Sequence, residues 1–289
     1  MDIVHGIEDA RQKIREARKA SKRIGFVPTM GFLHRGHLSL VDIARTESEY
    51  QVMSIFVNKI QFNDRKDYET YPRDLERDFE LARGAGVDLM FVPEDSEIYS
   101  NQKTYVDVET LTDFLCGAHR PGHFRGVFTV VSKLFNIIQP DVSVFGQKDL
   151  QQAVSIEKMV ADLNFPVRII LGPIIREEDG LAMSSRNKHL SADERKRALV
   201  LSRSLCRAGE MIDSGVTEAS AVIGEMTEII RSGRPDTLDY VTLVNRLSLQ
   251  PSERIDPPCA IAVAAFFGTT RLIDNMIIDR KGDRIQCTY

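Results

Sequence analysis

Short apolar runs alternate with segments of helical periodicity along the first 172 residues, and this pattern constrains the fold more than any other feature. The predicted strands cover residues 24–27, 52–57, 88–92, 105–108, 142–145 and 167–171. The predicted helices cover residues 6–21, a charged stretch that begins near Pro72, 124–138 and 150–163. Strands that alternate with helices form a parallel sheet with both faces covered, and ligands bind beyond the carboxyl ends of its strands. Segments 28–37, 58–62 and 146–149 are therefore expected to meet in one cleft.

The pattern changes around Gly172-Pro173. Ser191 and Glu194 match a capping box that opens a helix to about residue 211, and a second helix is predicted at 217–231. Three strand-like runs follow, at 238–244, 259–267 and 271–278. Helices followed by strands suggest a separate α+β domain. We therefore predict an α/β chain, with a Rossmann-like parallel sheet and helices on both faces in residues 1–173 and a smaller α+β C-terminal domain in residues 174–289.

The composition excludes several classes of protein. Hydrophobic residues make up 43% of the 289 residues and charged residues 28%, which supplies a packed core and argues against disorder. The net charge of −4 gives no support to binding of nucleic acid or an anionic membrane. The longest apolar run, Cys259–Phe267, is too short to span a bilayer. The N-terminus lacks a secretory pattern and the four cysteines lack metal-ligand spacing, so we expect a cytoplasmic protein.

The most informative motif is PTMGFLHRGH at residues 28–37. It lies between an apolar run and an amphipathic segment, which predicts a strand, a tight turn and a helix N-terminus. A helix N-terminus presents unpaired N–H groups and the positive end of the backbone dipole, which favour a phosphate. His34 and His37 lie three residues apart at this point and add two imidazoles on about the same side. This motif alone leaves an ordinary turn with two exposed histidines as the alternative.

Three further segments carry polar groups at predicted strand ends or in a loop. Lys148 and Asp149 can supply a charge for a phosphate and a carboxylate for Mg²⁺, or they can merely cap a helix. The loop MSSRN at 183–187 offers hydroxyls, amides and a guanidinium suited to a triphosphate, or it forms a polar turn. Asn58 and Gln61 place amides beside apolar side chains, which suits a small hydroxy acid, or they form a polar strand end.

Together these segments resemble the pantothenate synthetase (pantoate–β-alanine ligase) family, which belongs to the nucleotidyltransferase superfamily with an HxGH (HIGH-type) motif. The stretches that carry the resemblance occur in the family's order: PTMGxLHxGH at 28–37, SIFVN at 54–58 followed by QF, YPR at 71–73, RPGHFRGV at 120–127, FGxKDxQQ at 145–152, DGLAMSSRN at 179–187 and RLIDN at 271–275. The linked set covers nearly the whole chain and is far more specific than any one member.

The resemblance implies an AMP-forming ligase that condenses (R)-pantoate with β-alanine to pantothenate, releases AMP and diphosphate, and proceeds through a pantoyl adenylate. Such a reaction needs positioning and charge stabilisation, with no protein nucleophile. The sequence agrees, because it contains no recognisable nucleophile elbow. The resemblance also implies ATP as a substrate, Mg²⁺ as its ion, and a homodimer whose other partners are small molecules, not nucleic acid or a membrane.

Residue roles follow from the matching positions of the motifs. The residues expected to stabilise charge on the phosphates are His34, His37, Lys148 and Arg186, with His37 cast as the proton donor. The residues expected on the pantoate and β-alanine side are Gln61, Gln152 and Asn58, and Asp149 is expected near Mg²⁺. The residues expected to bind ATP are Met30, Gly31, Phe32, Leu33, His34, Arg35, Gly36, His37, Gly146, Gln147, Lys148, Asp149, Ile175, Met183, Ser184, Ser185 and Arg186.

Three positions depart from the family pattern. Lys59 stands where Pro commonly follows the Asn, which frees φ and adds a charge. Cys116 stands where an acidic residue usually precedes the Gly, which puts a polar contact in doubt, and Gln147 stands where Glu is frequent. None of these changes removes a group that must touch phosphate, so activity is still expected. The basic residues Arg120, His123 and Arg125, which surround Pro121-Gly122, favour a solvated charged turn over a role in the site.

Two other functions remain open from the sequence. Another nucleotidyltransferase, which transfers a nucleotidyl group to a phosphorylated acceptor and stops there, would release pyrophosphate but no AMP. A non-catalytic nucleotide-binding protein would bind nucleotide without turnover. The intact set of His34, His37, Lys148 and Arg186 argues against the last, because a pure binder has little use for so many phosphate-directed donors.

Overall fold

A computed structural model of the chain describes residues 1–281 and 284–289. These residues form two compact units. Unit 1 comprises Met1–Glu109, Arg120–Gly146 and Ser155–Gly172, and unit 2 comprises Thr110–His119, Gln147–Val154 and, within the described part of the chain, Pro173–Tyr289. Segments 110–119 and 147–154 thus belong to unit 2 although they precede Pro173, and no periodicity in the sequence marks them.

The strands of unit 1 form one parallel sheet. They are β1 (Asp2–Val4), β2 (Ile24–Thr29), β3 (Tyr50–Ile55), β4 (Leu89–Phe91), β5 (Val142–Gly146) and β6 (Arg168–Gly172). Their order is β1-β4-β3-β2-β5-β6, and every pair is parallel. The strand order reverses at β2, which lies between β3 and β5, and such a switch point is where open parallel sheets bind ligands. The predicted Rossmann-like sheet is confirmed.

Helices cover both faces of this sheet. The helices of the chain are α1 (Ile7–Lys19), α2 (Arg35–Arg45), α3 (Arg65–Glu69), α4 (Leu75–Gly84), α5 (Asp95–Ile98), α6 (Leu115–His119), α7 (His123–Ile138), α8 (Leu150–Asp162), α9 (Ala192–Ala198), α10 (Val200–Asp213) and α11 (Ala219–Ser232). In β2, the ring of Phe26 meets that of Phe135 on α7 with centroids 6.4 Å apart, whereas Val27 packs in a cluster with Leu40 and Val41 of α2. Because successive side chains of a strand point to opposite faces, α7 and α2 lie on opposite faces, as predicted.

Unit 2 contains an antiparallel sheet. Its strands are β7 (Thr237–Asn245), β8 (Cys259–Phe267), β9 (Thr270–Lys281) and β10 (Arg284–Thr288), in the order β10-β9-β8-β7. Its buried cluster joins Leu205 of α10 and Val222 and Met226 of α11 to Ile261 and Val263 of β8. The predicted α+β architecture of the C-terminal part is confirmed. No helix among the described residues has the length and apolar character needed to cross a membrane.

Three expectations about secondary structure differ from the structure, one in kind and two in helix bounds. Residues 105–108 form no strand, and Val106 N donates instead to Thr129 Oγ1 at 3.0 Å. The helix expected near Pro72 begins at Leu75, because the Asp74 side chain accepts from Arg77 N and acts as its N-cap. The helix expected to run from residue 192 to about 211 is divided at Leu199, whose ψ of −16° departs from the helical value of about −42°. Strand β1 was not predicted, because three residues are too few to show the alternation of a strand.

The capping box at the start of α9 generates the first testable prediction. Glu194 N donates to Ser191 Oγ at 3.3 Å, and Ser191 N donates to Glu194 Oε2 at 2.7 Å. We expect Ser191→Ala to lower the free energy of unfolding by about 1 kcal/mol, because the Glu194 amide loses its acceptor. Glu194→Gln keeps an oxygen for Ser191 N and is the matched control. Urea denaturation measures both variants, and unchanged stability of Ser191→Ala would contradict the prediction.

Candidate active site

A buried carboxylate holds the turn that follows β2. Gly31 has a φ of +82° and Phe32 a φ of +50°, so the chain reverses sharply before α2 begins. Asp78 of α4 is 0% exposed and accepts from the N–H groups of Phe32 and Leu33, both at 2.7 Å. Burial raises the pKa of the Asp78 carboxyl, and these two hydrogen bonds act in the opposite direction. A Cβ at position 31 would lie 2.8 Å from Ile55 Cγ2, so the turn needs glycine there.

The two predicted histidines meet at the N-terminus of α2. His34 is the N-cap residue and His37 lies in the first turn of the helix. Their rings stack with centroids 4.0 Å apart and an angle of 29° between the planes. The backbone N–H of His34 donates to His37 Nδ1 at 3.3 Å, so a neutral His37 carries its ring proton on Nε2. An Nε2–H donor at a helix N-terminus suits an anion.

A cavity of about 310 Å³ opens along the carboxyl ends of β2, β3 and β4. Its lining includes the predicted ATP-binding residues Met30, Gly31 and Phe32, together with residues 55–57 and 92–95. This volume is at the lower end of the range for small-molecule sites. In unit 1, the turn that the sequence predicted to bind phosphate therefore forms part of the cavity wall.

Asn58 and Gln61 belong to a hydrogen-bonded network in unit 1. Asn58 is 1% exposed, its Nδ2 donates to Gln61 Oε1 at 2.8 Å and to Gly126 O at 3.1 Å, and its Oδ1 accepts from Tyr99 Oη at 2.6 Å. Gln61 Nε2 in turn lies 3.2 Å from Met30 Sδ. The structure thus brings Gln61 to Met30. The protein itself engages the Asn58 amide, and contact between Asn58 and a substrate stays a prediction.

The expected solvated turn at 120–125 is wrong for His123. This side chain is 7% exposed, with Nδ1 2.7 Å from Gln61 O and Nε2 3.1 Å from Arg120 Nη1. A carbonyl only accepts and a guanidinium only donates, so the ring proton is on Nδ1 and Nε2 accepts. The sequence offered only a partial signal, because residue 123 shares a helical face with the apolar Val127 and Leu134, whereas its partner Gln61 O is 62 residues away.

In unit 2, Lys148 and Asp149 lie on a 3₁₀ turn, Gln147–Asp149, that Asn275 of β9 holds. Asn275 Nδ2 donates to the carbonyl oxygens of Gln147 at 2.9 Å and Lys148 at 3.0 Å. The buried Gln147 side chain donates to Asn275 Oδ1 at 3.3 Å and to Thr288 O at 3.0 Å. Lys148 Nζ lies 3.6 Å from Asp149 Oδ2, and the Asp149 side chain is 51% exposed. The protein engages the Gln147 side chain, so its contact with ATP stays a prediction.

The other predicted residues of unit 2 lie on α8 and in the MSSRN loop. Met183 N donates to Ile175 O at 2.9 Å, and Ser184 Oγ accepts from Arg186 N at 3.3 Å, which brings these four residues together. On α8, Gln152 is half-buried, whereas its neighbour Gln151 is fully engaged with segment 111–117. Each unit therefore carries its own set. Unit 1 holds residues 30–37, Asn58, Gln61 and Gly146, and unit 2 holds residues 147–149, Gln152, Ile175 and 183–186.

The role of Asp78 in the turn generates a second prediction. We expect Asp78→Asn to lower the free energy of unfolding by about 1–3 kcal/mol, because an amide accepts from only one of the two N–H groups and turns its own donors toward the other. Asp74→Asn is the matched control on the same helix, since Asn and Asp are equally good N-caps. Urea denaturation of both variants measures the difference, and equal stability of the two would contradict the assigned role.

Comparisons with known proteins show the family to which the chain belongs. The family model described as pantoate-beta-alanine ligase matches residues 2–277. The pantothenate synthetase of Acetivibrio thermocellus is 51% identical over 280 residues, which cover 96% of this chain and 100% of that protein. The pantothenate synthetase of Thermoanaerobacter sp. (strain X514) is 51% identical over 278 residues, covering 96% of this chain and 98% of that protein.

Two solved structures give the same result. The crystal structure of pantothenate synthetase from Thermus thermophilus has a TM-score of 0.90 and 44% identity, and the match covers 95% of this chain and 98% of that one. The pantoate-beta-alanine ligase from Francisella tularensis, complexed with beta-gamma ATP and beta-alanine, has a TM-score of 0.78 and 33% identity over 96% of this chain and 97% of that one. The chain therefore belongs to the pantoate–β-alanine ligase family.

Proposed function

We propose that this chain catalyses the ATP-dependent condensation of (R)-pantoate with β-alanine through a pantoyl adenylate. The pantoate carboxylate attacks the α-phosphorus of ATP and releases diphosphate; the β-alanine amine then attacks the acyl carbon, loses a proton, and AMP leaves. The observation that carries the proposal is the stacked pair His34 and His37 at the N-terminus of α2, where the strand order reverses. The Francisella tularensis relative, complexed with beta-gamma ATP and beta-alanine, supports both substrates.

In this proposal the protein supplies positioning and charge, with no covalent step of its own. Negative charge builds on the phosphate oxygens as the carboxylate attacks, and preorganised donors at that point lower the barrier. His37 Nε2–H and the first N–H groups of α2 are the donors that unit 1 would provide. Lys148 and Arg186 are the cations that unit 2 would provide.

Mg²⁺ fits the residues present as an ion that arrives with ATP. Proteins hold Mg²⁺ through one or two carboxylates together with substrate phosphates. No group of three or more His, Cys, Asp and Glu side chains suited to a metal occurs among the residues that the structure describes. Asp149 is 51% exposed beside Lys148, so its carboxylate can take the single protein ligand position. When bound there, Mg²⁺ would neutralise phosphate charge.

The two parts of the chain would have separate roles in this reaction. Residues 1–173 would bind ATP and pantoate, and residues 174–289 would bring the MSSRN loop over the phosphates. Gln61 and Gln152 would contact pantoate, with Gln61 later contacting β-alanine.

We propose a homodimer, as the resemblance implies. We also propose a cytoplasmic location, which the four free thiols favour because thiols persist in reducing compartments.

The experiment that tests the function is a turnover assay with the full chain. The chain is incubated with ATP, Mg²⁺, pantoate and β-alanine, and AMP and pantothenate are measured. Pyrophosphate without AMP would indicate the alternative nucleotidyltransferase. Binding of ATP by folded protein without any turnover would indicate a non-catalytic binder.

A third prediction concerns the charge-stabilising groups. We expect His37→Ala and Lys148→Ala each to lower kcat by about 10²-fold or more, because each removes a preorganised donor or charge from the phosphates. Lys158→Ala changes an exposed lysine of α8 and is the matched control, with wild-type kcat expected. Steady-state AMP formation measures all three. Near-normal turnover in both His37→Ala and Lys148→Ala would mean that the roles are misassigned.

A fourth prediction concerns the substrate side. We expect Gln61→Ala to raise KM for pantoate and β-alanine by about tenfold, while the Kd for ATP remains near the wild-type value, because the loss is confined to hydrogen bonds with the acid and the amine. Calorimetric titration with ATP and steady-state kinetics separate the two effects. A weaker ATP affinity with unchanged KM for pantoate would contradict the assignment of Gln61.

A further inference from the structure

We infer that Tyr99 is a positioning residue that fixes the direction of the Gln61 amide through Asn58, so that Gln61 presents an N–H donor to the acid substrate. The inference rests on the proposed contact between Gln61 and that substrate. It adds Tyr99, which lies in none of the motifs, and Gly126, which lies in the RPGHFRGV motif but had no assigned role. The three side chains form a continuous chain of hydrogen bonds, from Tyr99 Oη to Asn58 Oδ1 at 2.6 Å and from Asn58 Nδ2 to Gln61 Oε1 at 2.8 Å.

Two partners hold the Asn58 amide in one direction, the Gly126 carbonyl oxygen at Nδ2 and the Tyr99 hydroxyl at Oδ1. The carbonyl oxygen of Gly126 can only accept, so the Asn58 atom 3.1 Å away is Nδ2. The other end of the Asn58 amide is then Oδ1, and the Tyr99 hydroxyl must donate to it. The second proton of Nδ2 points to Gln61, and the Gln61 atom that receives it must be Oε1. The amide directions follow from chemistry, since the reverse assignment would set a carbonyl oxygen against Gly126 O.

The consequence is that Gln61 Nε2 lies at the outer end of the chain. It lies 3.2 Å from Met30 Sδ, and a thioether sulfur is a weak acceptor. Met30 also lines the 310 Å³ cavity. A carboxylate or hydroxyl oxygen is a stronger acceptor than a thioether, so an acid substrate can take the Nε2–H from Met30. A Gln61 amide turned the other way would present an oxygen and repel a carboxylate.

The surroundings keep this arrangement rigid. The Tyr99 ring packs against Phe56 with centroids 5.9 Å apart, and Lys133 Nζ lies 5.6 Å from its centroid. Burial raises the pKa of the Tyr99 hydroxyl, which keeps it protonated and able to donate. Position 126 must be glycine for α7 to come this close, because a Cβ there would lie 2.7 Å from Ile60 O and 2.8 Å from Gln61 N.

The first test is Tyr99→Phe in the full chain. This variant keeps the ring and removes only the donor to Asn58 Oδ1. The bond from Asn58 Nδ2 to Gly126 O then holds the Asn58 amide alone, so the Gln61 amide is held less firmly. We expect KM for pantoate to rise about 3- to 10-fold, the range for one lost hydrogen bond, while KM for ATP and kcat stay within about twofold of wild type. Tyr105→Phe is the matched control, since Tyr105 is 41% exposed and its ring lies over Arg125 outside this network; we expect wild-type kinetics.

A double-mutant cycle separates positioning from general stability. In the Gln61→Ala background the amide that Tyr99 positions is gone, so adding Tyr99→Phe should leave kcat/KM for pantoate unchanged. A purely structural role of Tyr99 would lower kcat/KM by the same factor in both backgrounds, and that result would overturn the inference.

Gln61→Glu tests the direction of the amide itself and does not depend on the folding of Tyr99→Phe. One carboxylate oxygen keeps the bond from Asn58 Nδ2, and the other replaces the outward donor by an acceptor. We expect KM for pantoate to rise at least as much as in Gln61→Ala, with wild-type Kd for ATP. Wild-type KM in Gln61→Glu would overturn the inference while AMP formation by the wild-type chain left the proposed function intact; absence of AMP formation by wild type would instead remove the proposed function.

Discussion

The turn between β2 and α2 depends on two hydrogen bonds to one buried carboxylate. Asp78 accepts from the N–H groups of Phe32 and Leu33 at 2.7 Å, and these bonds hold the chain in a left-handed conformation just before α2 begins. Without them, two backbone donors would be buried without partners, which costs about 1–3 kcal/mol each. The N-terminus of α2, the stacking of His34 on His37 and one side of the cavity all depend on the position of this turn.

In both units, different side chains are assigned to the ligand and to holding the backbone. Side chains assigned to ligands lie at strand ends, in loops or in the first turn of a helix, and other buried polar side chains hold the backbone beside them. Asn275 binds two carbonyls of the turn that carries Lys148, and Gln151 binds segment 111–117 next to the less buried Gln152. A buried amide is stable only when its hydrogen bonds are satisfied, so each of these residues admits few conformations. Because these amides admit few conformations, the loops that they hold keep their charged side chains in fixed positions.

Prediction from sequence succeeded where the signal was local. The apolar runs of β2 and β5 and the capping box at Ser191 require only neighbouring residues, and the structure confirms them. It failed at residues 105–108, where β-branched residues suggested a strand but the segment pairs with no other strand. It also failed at His123, whose burial depends on the packing of α7 near Gln61. Asp78 lies in a charged helix and had no signal, because nothing in the surrounding sequence separates a buried carboxylate from a solvated one.

The sequence by itself determined the parallel α/β class, the α+β character of the C-terminal part and the family, because periodicity and motifs are properties of neighbouring residues. It also selected His34, His37, Lys148 and Gln61. Only the tertiary structure decided which way the Gln61 amide faces, which nitrogen of His37 carries a proton, and that Asp78 rather than a loop residue holds the turn. These features depend on side-chain hydrogen bonds that exist only once the chain has folded, and the direction of such a bond depends on which partner can only donate or only accept.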